Sequence, residues 1–143
     1  MEVISMGKLL RENIRRLERK LGMLNENHPS CCDVTLAQCH AIVEIGRQPQ
    51  ISLNELAAKL GLDKSTVSRT LLILVQNGIA KRETDPQDRR YATIQLTAKG
   101  YECFNQIEQS MDELFRNIAC NIPAEKREQV LECLLILNQA LDK

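Results

Sequence analysis

The chain has 143 residues, 43% of them apolar and 27% charged, and its 19 Lys and Arg balance its 19 Asp and Glu. That length and apolar content suit one domain with a core that needs neither disulfides nor metal, and they exclude a disordered chain. Apolar runs such as Leu71 to Val75 and Leu134 to Leu137 are too short to span a membrane, and zero net charge, taken only as a sum, speaks against a polyanionic partner.

The chain opens on a long helix, with Leu10, Ile14, Leu17, Leu21 and Leu24 at helical spacing. Asn25 to Ser30 breaks the pattern, and Pro29 disfavours helix at His28. Thr35 and Gln38 have the spacing of a capping box, which predicts a second helix to about Gly46. Ser52 and Glu55 form another, opening a short helix through Leu56, Ala57 and Leu60 that Gly61 ends. Asp63 is a good N-cap for a further helix, with Val67, Leu71, Leu74 and Val75 on one face and Asn77-Gly78 at its end. The period then changes. Ile79 to Thr84 and Tyr91 to Leu96 read as two strands around the polar turn Asp85-Pro-Gln-Asp-Arg-Arg90. Thr97 caps a long helix carrying Phe104, Ile107, Met111, Leu114 and Ile118. Pro123 fits the first turn of a last helix with Val130, Leu134, Leu137 and Leu141 on one face.

Position changes the meaning of the net charge. Residues 8–20 and 64–99 each carry a net +4, while residues 21–63 carry −3 and residues 100–143 carry −4. Exposed charges are screened beyond about 10 Å at ordinary salt, so one basic face can meet a polyanion while the remainder is acidic.

Residues 52–77 have helix-turn-helix spacing. The second helix presents Lys64, Ser65, Thr66, Ser68, Arg69 and Thr70. Short hydroxyls approach a groove closely and bond phosphates or base edges, and Arg69 is suited to a bidentate contact with guanine. By itself this is also the polar surface of an ordinary amphipathic helix. The hairpin after it narrows the reading, because its tip carries Asp85, Asp88, Arg89 and Arg90. Arginine at a narrow tip suits a minor groove, and an adjacent Asp can fix the guanidinium's direction.

The Leu56-Ala-Ala-Lys-Leu60 helix, the Asp63-Lys-Ser-Thr-Val-Ser-Arg69 helix, the Asp85-Pro-Gln-Asp-Arg-Arg90 wing and the Leu96-Thr-Ala-Lys-Gly100 junction resemble the multiple-antibiotic-resistance regulator (MarR) family over nearly the whole chain. The resemblance implies a mainly α fold: a winged helix-turn-helix with a two-stranded β-wing and long N- and C-terminal dimerisation helices. It divides the chain into a dimerisation helix and loop (1–34), a DNA-binding domain (35–99) and C-terminal dimerisation helices (100–143). It implies a homodimer, usually a repressor, on a pseudo-palindromic double-stranded operator. Carried over by position, Ser65, Thr66, Ser68 and Arg69 match the recognition helix, Arg90 the wing arginine and Asp88 its orienting carboxylate. Lys64, Lys81 and Arg89 are the expected phosphate anchors.

Six cysteines without a visible signal peptide point to the reducing cytoplasm rather than a disulfide framework. Cys103, Cys120 and Cys133 lie in the long helices, where buried small-apolar roles are expected. Cys31, Cys32 and Cys39 cluster at the predicted start of the second helix, where helical geometry would bring three sulfurs together. Amides at a helix start favour thiolate. This suits a thiophilic metal or metalloid ion, or an oxidant that forms a disulfide, with His28 and His40 as possible nitrogen ligands. In the resembled family this region borders the effector pocket, and some branches sense oxidants through cysteine. The Cys-Cys-x6-Cys spacing is not that of the hydroperoxide-sensing branch. If the thiols only pack, the expected inducer is a small aromatic or phenolic ligand, for which Phe104, Phe115, Tyr91 and Tyr101 are the available aromatics. A thiol redox enzyme is the competing class. It needs a nucleophile, a base and an orienting partner, and neither histidine sits in a recognisable catalytic motif.

Overall fold

The computed structural model describes residues 2–27, 33–84, 86–88 and 92–143. In chain order these form α1 (Val3–Asn27), α2 (Leu36–Arg47), β1 (Ile51–Ser52), α3 (Leu53–Leu60), α4 (Lys64–Gln76), β2 (Ala80–Thr84), β3 (Ala92–Leu96), α5 (Ala98–Cys120), a 3-10 turn (Ala124–Lys126) and α6 (Arg127–Leu141). No helix among the described residues is long and apolar enough to cross a membrane.

Local chemistry sets the helix starts. Thr35 Oγ1 accepts the Gln38 N–H at 3.2 Å, and Gln38 Oε1 accepts the Thr35 N–H at 3.1 Å. Ser52 and Glu55 repeat this reciprocal cap at 3.1 and 3.3 Å. Each box satisfies two backbone donors that a helix start otherwise leaves open. Gln48 Nε2 also donates to Glu55 at 2.6 Å, tying the end of α2 to the start of α3. Gly61 closes α3 in the left-handed conformation, with φ of 64°. This turns the chain sharply into Asp63 and α4.

The core sits under the helix-turn-helix. Ile42 and Ile45 of α2, Ile51 of β1, Leu56 of α3, Val67, Leu71 and Leu74 of α4 and Ile94 of β3 are all fully buried. Burying each such side chain contributes about 1.5–3 kcal/mol. Cys103 and Ile107 from the first turns of α5 complete the cluster, with Phe104 and Met111 at its edge. By contrast α6 contributes no buried residue, and the apolar side chains of α1 and α6, such as Leu10, Leu17, Leu131 and Leu135, are exposed in the single chain.

Four sequence expectations are corrected. The wing hairpin forms, but β1 adds a third strand, giving the antiparallel order β1-β3-β2 with Ile51 opposite Ile94; a two-residue strand is too short to show alternation. Val75 does not join Leu71 and Leu74 but is 37% exposed, since it lies past the edge of the buried stripe. Pro123 is not in the first turn of the last helix. Its ψ of 133° is extended, and a 3-10 turn intervenes before α6 starts at Arg127. Cys103 is buried as expected, but Cys120 and Cys133 are exposed, because the chain's own core does not reach the C-terminal end of α5 or the face of α6.

The junction from β3 into α5 is tightly built. Thr97 caps α5 by accepting the Gly100 N–H at 3.1 Å. The same hydroxyl lies against the carbonyls of Gly78 and Ile79 at the end of α4. Gly100 permits this approach, since a Cβ there would lie 2.0 Å from the Ile79 carbonyl oxygen.

Candidate nucleic-acid interface

Two capped helices, α3 and α4, are joined by Gly61-Leu-Asp63, and the polar side of α4 faces outward. Val67, Leu71 and Leu74 hold α4 to the core. Residues three and four apart share a helix face, so Ser65, Ser68 or Arg69, and Leu72 fall on the opposite side. Lys64, Ser65 and Arg69 are exposed, while Thr66, Ser68 and Thr70 are half-buried.

Hydrogen bonds order the first turn of α4. Asp63 accepts from the Ser65 hydroxyl, from the Thr66 backbone N–H at 3.2 Å and from Thr66 Oγ1 at 2.6 Å. These three donors hold its carboxyl well below the usual carboxylate range. Arg69 Nη2 in turn donates to Thr66 Oγ1 at 3.4 Å. Thr70 is turned inward onto its own helix, donating to the Thr66 carbonyl at 3.3 Å.

The outer face of α4 borders a groove of about 330 Å³ whose walls include Ser65, Ser68, Arg69, Leu72 and, from β2, Arg82. The sequence points to Lys81 as a phosphate anchor, whereas its neighbour Arg82 lines the groove. Side chains alternate along a strand, so Arg82 shares the side of Ala80 that meets α4, and Lys81 falls on the other side. There Lys81 pairs with Glu83 at 3.1 Å. The buried Ala80 was the available signal, but it becomes one only when the register of Ala80 with Leu96 is known. Together with Leu71, Leu72 and Val75, Arg69 and Arg82 therefore line one groove. Such charges favour an anion, and their planar fork suits phosphate or guanine.

Other expected site residues are placed as follows. Asp88 is described and half-buried, whereas Arg89 and Arg90 lie outside the described residues, as do Asp85 and Tyr91. Cys31, Cys32 and His28 also lie outside them, so the expected convergence of three thiols does too. Cys39 is half-buried and packs against the apolar core, and His40 is exposed. Among the described residues no group of three or more His, Cys, Asp or Glu is arranged to hold a metal ion. Of the aromatics, Phe104 packs against Gly46 of α2, while Tyr101 and Phe115 are exposed.

Comparison with known proteins is consistent with this geometry. Residues 34–91 match the MarR family. The chain is 27% identical over 101 residues to the HTH-type transcriptional regulator BilQ of Clostridium symbiosum, covering 71% of this chain and 70% of that one. Among solved structures, a mutant MarR from E. coli complexed with operator DNA superposes with a TM-score of 0.76 at 26% identity, over 94% of this chain and 96% of that one. The PcaV transcriptional regulator from Streptomyces coelicolor, solved with its natural ligand, gives a TM-score of 0.80 at 18% identity, over 99% of each chain.

Proposed function

We propose that the chain is a winged-helix transcriptional regulator of the MarR family, a repressor that binds a pseudo-palindromic operator as a homodimer and leaves it on a signal. It is a DNA-binding regulator and not an enzyme. The observation that carries the finer reading is the outward face of α4, where exposed Lys64, Ser65 and Arg69 stand beside a groove that Arg82 closes from the wing. In this reading Lys64, Arg82 and Arg89 anchor phosphates, with Lys81 a weaker anchor because Glu83 neutralises it. Ser65, Thr66, Ser68 and Arg69 read base edges, and Arg90, oriented by Asp88, enters the minor groove.

A homodimer is supported by the bare apolar faces of α1 and α6, which exceed the scattered exposed apolar groups of an ordinary monomer. It is also supported by charge, since residues 8–20 carry +4 and residues 100–143 carry −4. On this reading residues 1–34 and 100–143 dimerise while 35–99 bind DNA.

The signal is proposed to act where α1 gives way to α2, at Cys31, Cys32 and Cys39. Three thiols within nine residues favour it. Two of them and one hydrogen peroxide would yield a disulfide and two waters, and a thiophilic ion would bind the thiolates directly. A small aromatic ligand is the second reading, favoured by the packing of Cys39 into the core and by PcaV having been solved with a natural ligand. Gel-shift titration of operator DNA with peroxide, a thiophilic ion and salicylate separates these. Loss of the peroxide or ion response in a triple Cys→Ser variant supports the thiol reading. An unchanged response in that variant rejects it.

A further inference from the structure

Asp63 does more in this structure than cap a helix. One of its carboxylate oxygens accepts the Ser65 hydroxyl and the Thr66 N–H, and the other accepts the Thr66 hydroxyl at 2.6 Å. A hydroxyl has one proton and two lone pairs, and an ionised carboxylate only accepts. Both hydroxyl protons are therefore committed to Asp63. What Ser65 and Thr66 have left for a partner is lone pairs alone, and one of those on Thr66 already receives Arg69 Nη2 at 3.4 Å.

This commitment has a chemical consequence. A phosphate oxygen is also an acceptor, and it carries the same sign of charge as Asp63. A bare helix start attracts phosphate through its open N–H groups, but here Asp63 occupies the Thr66 N–H and brings its own negative charge. In a major groove the groups that donate to an acceptor are the amino groups of adenine (N6) and cytosine (N4), whereas guanine O6 and N7 and thymine O4 accept.

We infer that Asp63 is a specificity-positioning residue of the recognition helix: by taking the protons of Ser65 and Thr66 it makes both hydroxyls obligate acceptors, which select adenine or cytosine over guanine or thymine on the strand they face. The inference rests on the DNA-binding reading above, with α4 in the major groove. The three donors around Asp63 keep its carboxyl ionised throughout the neutral range, so the polarity of the two hydroxyls is fixed.

The test begins with duplexes selected from a random pool by the unaltered protein. Ser65→Ala and Thr66→Ala, each titrated against every single-base variant of the selected site, locate the base pairs that depend on the hydroxyls. At those pairs the parent is expected to prefer adenine or cytosine by about tenfold, the scale of a single mismatch. Asp63→Asn caps a helix about as well as Asp, but its NH2 group donates, which releases a hydroxyl proton to face the DNA. Its preference at the same pairs should fall to about twofold or reverse towards guanine and thymine. Asp63→Ser keeps a cap while removing the charge and the second acceptor, and it should relax the preference equally. Circular dichroism and thermal melting of both variants establish that α4 is intact. The proposal is overturned if Asp63→Asn and Asp63→Ser weaken all sequences alike with the preference retained, if the parent prefers guanine or thymine at those pairs, or if neither Ala variant changes preference at any position. A parent that selects no sequence at all overturns the regulator reading itself.

Discussion

Lys99, in the first turn of α5, donates from Nζ to the carbonyl of Asn77 at 3.0 Å, across a gap of 22 residues in sequence. Asn77 is the residue that ends α4. The contact puts a cation on the C-terminal end of α4, where the helix dipole is negative, and it stands beside the Thr97 hydroxyl on the neighbouring carbonyls of Gly78 and Ile79. The start of α5 is thus fastened to the end of α4.

Gly100 tests how tight that fastening is. In Gly100→Ala the new Cβ would meet the Ile79 carbonyl at 2.0 Å, so the backbone that follows α4 would have to shift. Overpacking of this kind costs about 1–3 kcal/mol. Urea denaturation should show a lower midpoint with an unchanged slope, and operator affinity should fall as the end of α4 moves.

Arg82 and Lys81 are neighbours with different expected effects. Arg82→Ala should weaken DNA binding and lower the slope of log affinity against log salt by about one unit, the signature of one lost phosphate contact. Lys81→Ala should change the slope by less than half of that, because Glu83 already offsets its charge at 3.1 Å. Gel-shift titrations at four or more salt concentrations measure both.

The wing arginine is expected to act differently from the phosphate anchors. Arg90→Ala should weaken operator binding by about 1–3 kcal/mol, the scale of a lost specific contact, and it should weaken it more for A·T-rich flanks, whose narrow minor groove attracts arginine. Titration against operators with A·T-rich and G·C-rich flanks gives the comparison.

Acid should act on the cap of α4 late. Asp63 has a folded-state pKa lowered by its three hydrogen bonds, while an unfolded Asp titrates near 3.9 (roughly). A depressed folded pKa means the contribution is fully present above the unfolded value and is lost as pH falls through the folded one. Glu55, lowered by Gln48 and Ser52, behaves in the same sense. Stability followed from pH 7 to pH 2 should therefore decline below about pH 4, and Asp63→Asn, which cannot ionise, should lower the neutral plateau and flatten that decline.

Much of this fold is legible in the sequence because its helix starts are local events. Thr35, Ser52, Asp63 and Thr97 each cap through a side chain that reaches three residues ahead, and that spacing is visible without any tertiary information. The helix α4 is legible for the same reason, since Val67, Leu71 and Leu74 mark its buried stripe and leave Lys64, Ser65 and Arg69 outside. What the sequence conceals depends on partners far along the chain. β1 exists only because Ile51 and Ser52 meet Ile94 and Thr93. Choosing Arg82 over Lys81 requires the register of β2 on β3. The exposure of Cys120 and Cys133 reflects apolar helix faces that one chain does not cover, and helical periodicity reports an apolar face without saying which molecule covers it.

Those faces give a prediction of their own. Leu135→Glu, on a helix that contributes nothing to the core, should leave the helix-turn-helix folded but move the protein towards monomer in sedimentation velocity. Operator affinity should fall with it, because two half-sites can no longer be engaged together.

If the outward face of α4 reads an operator as one half of a symmetric pair, the DNA carries the symmetry of that pair. Footprinting on the DNA upstream of the chain's own gene tests it most directly. Two inverted half-sites about one helical turn apart, about 10 base pairs centre to centre, should be protected, and Arg69→Ala should lose that protection. Absence of a footprint, or the same footprint with Arg69→Ala, would contradict it.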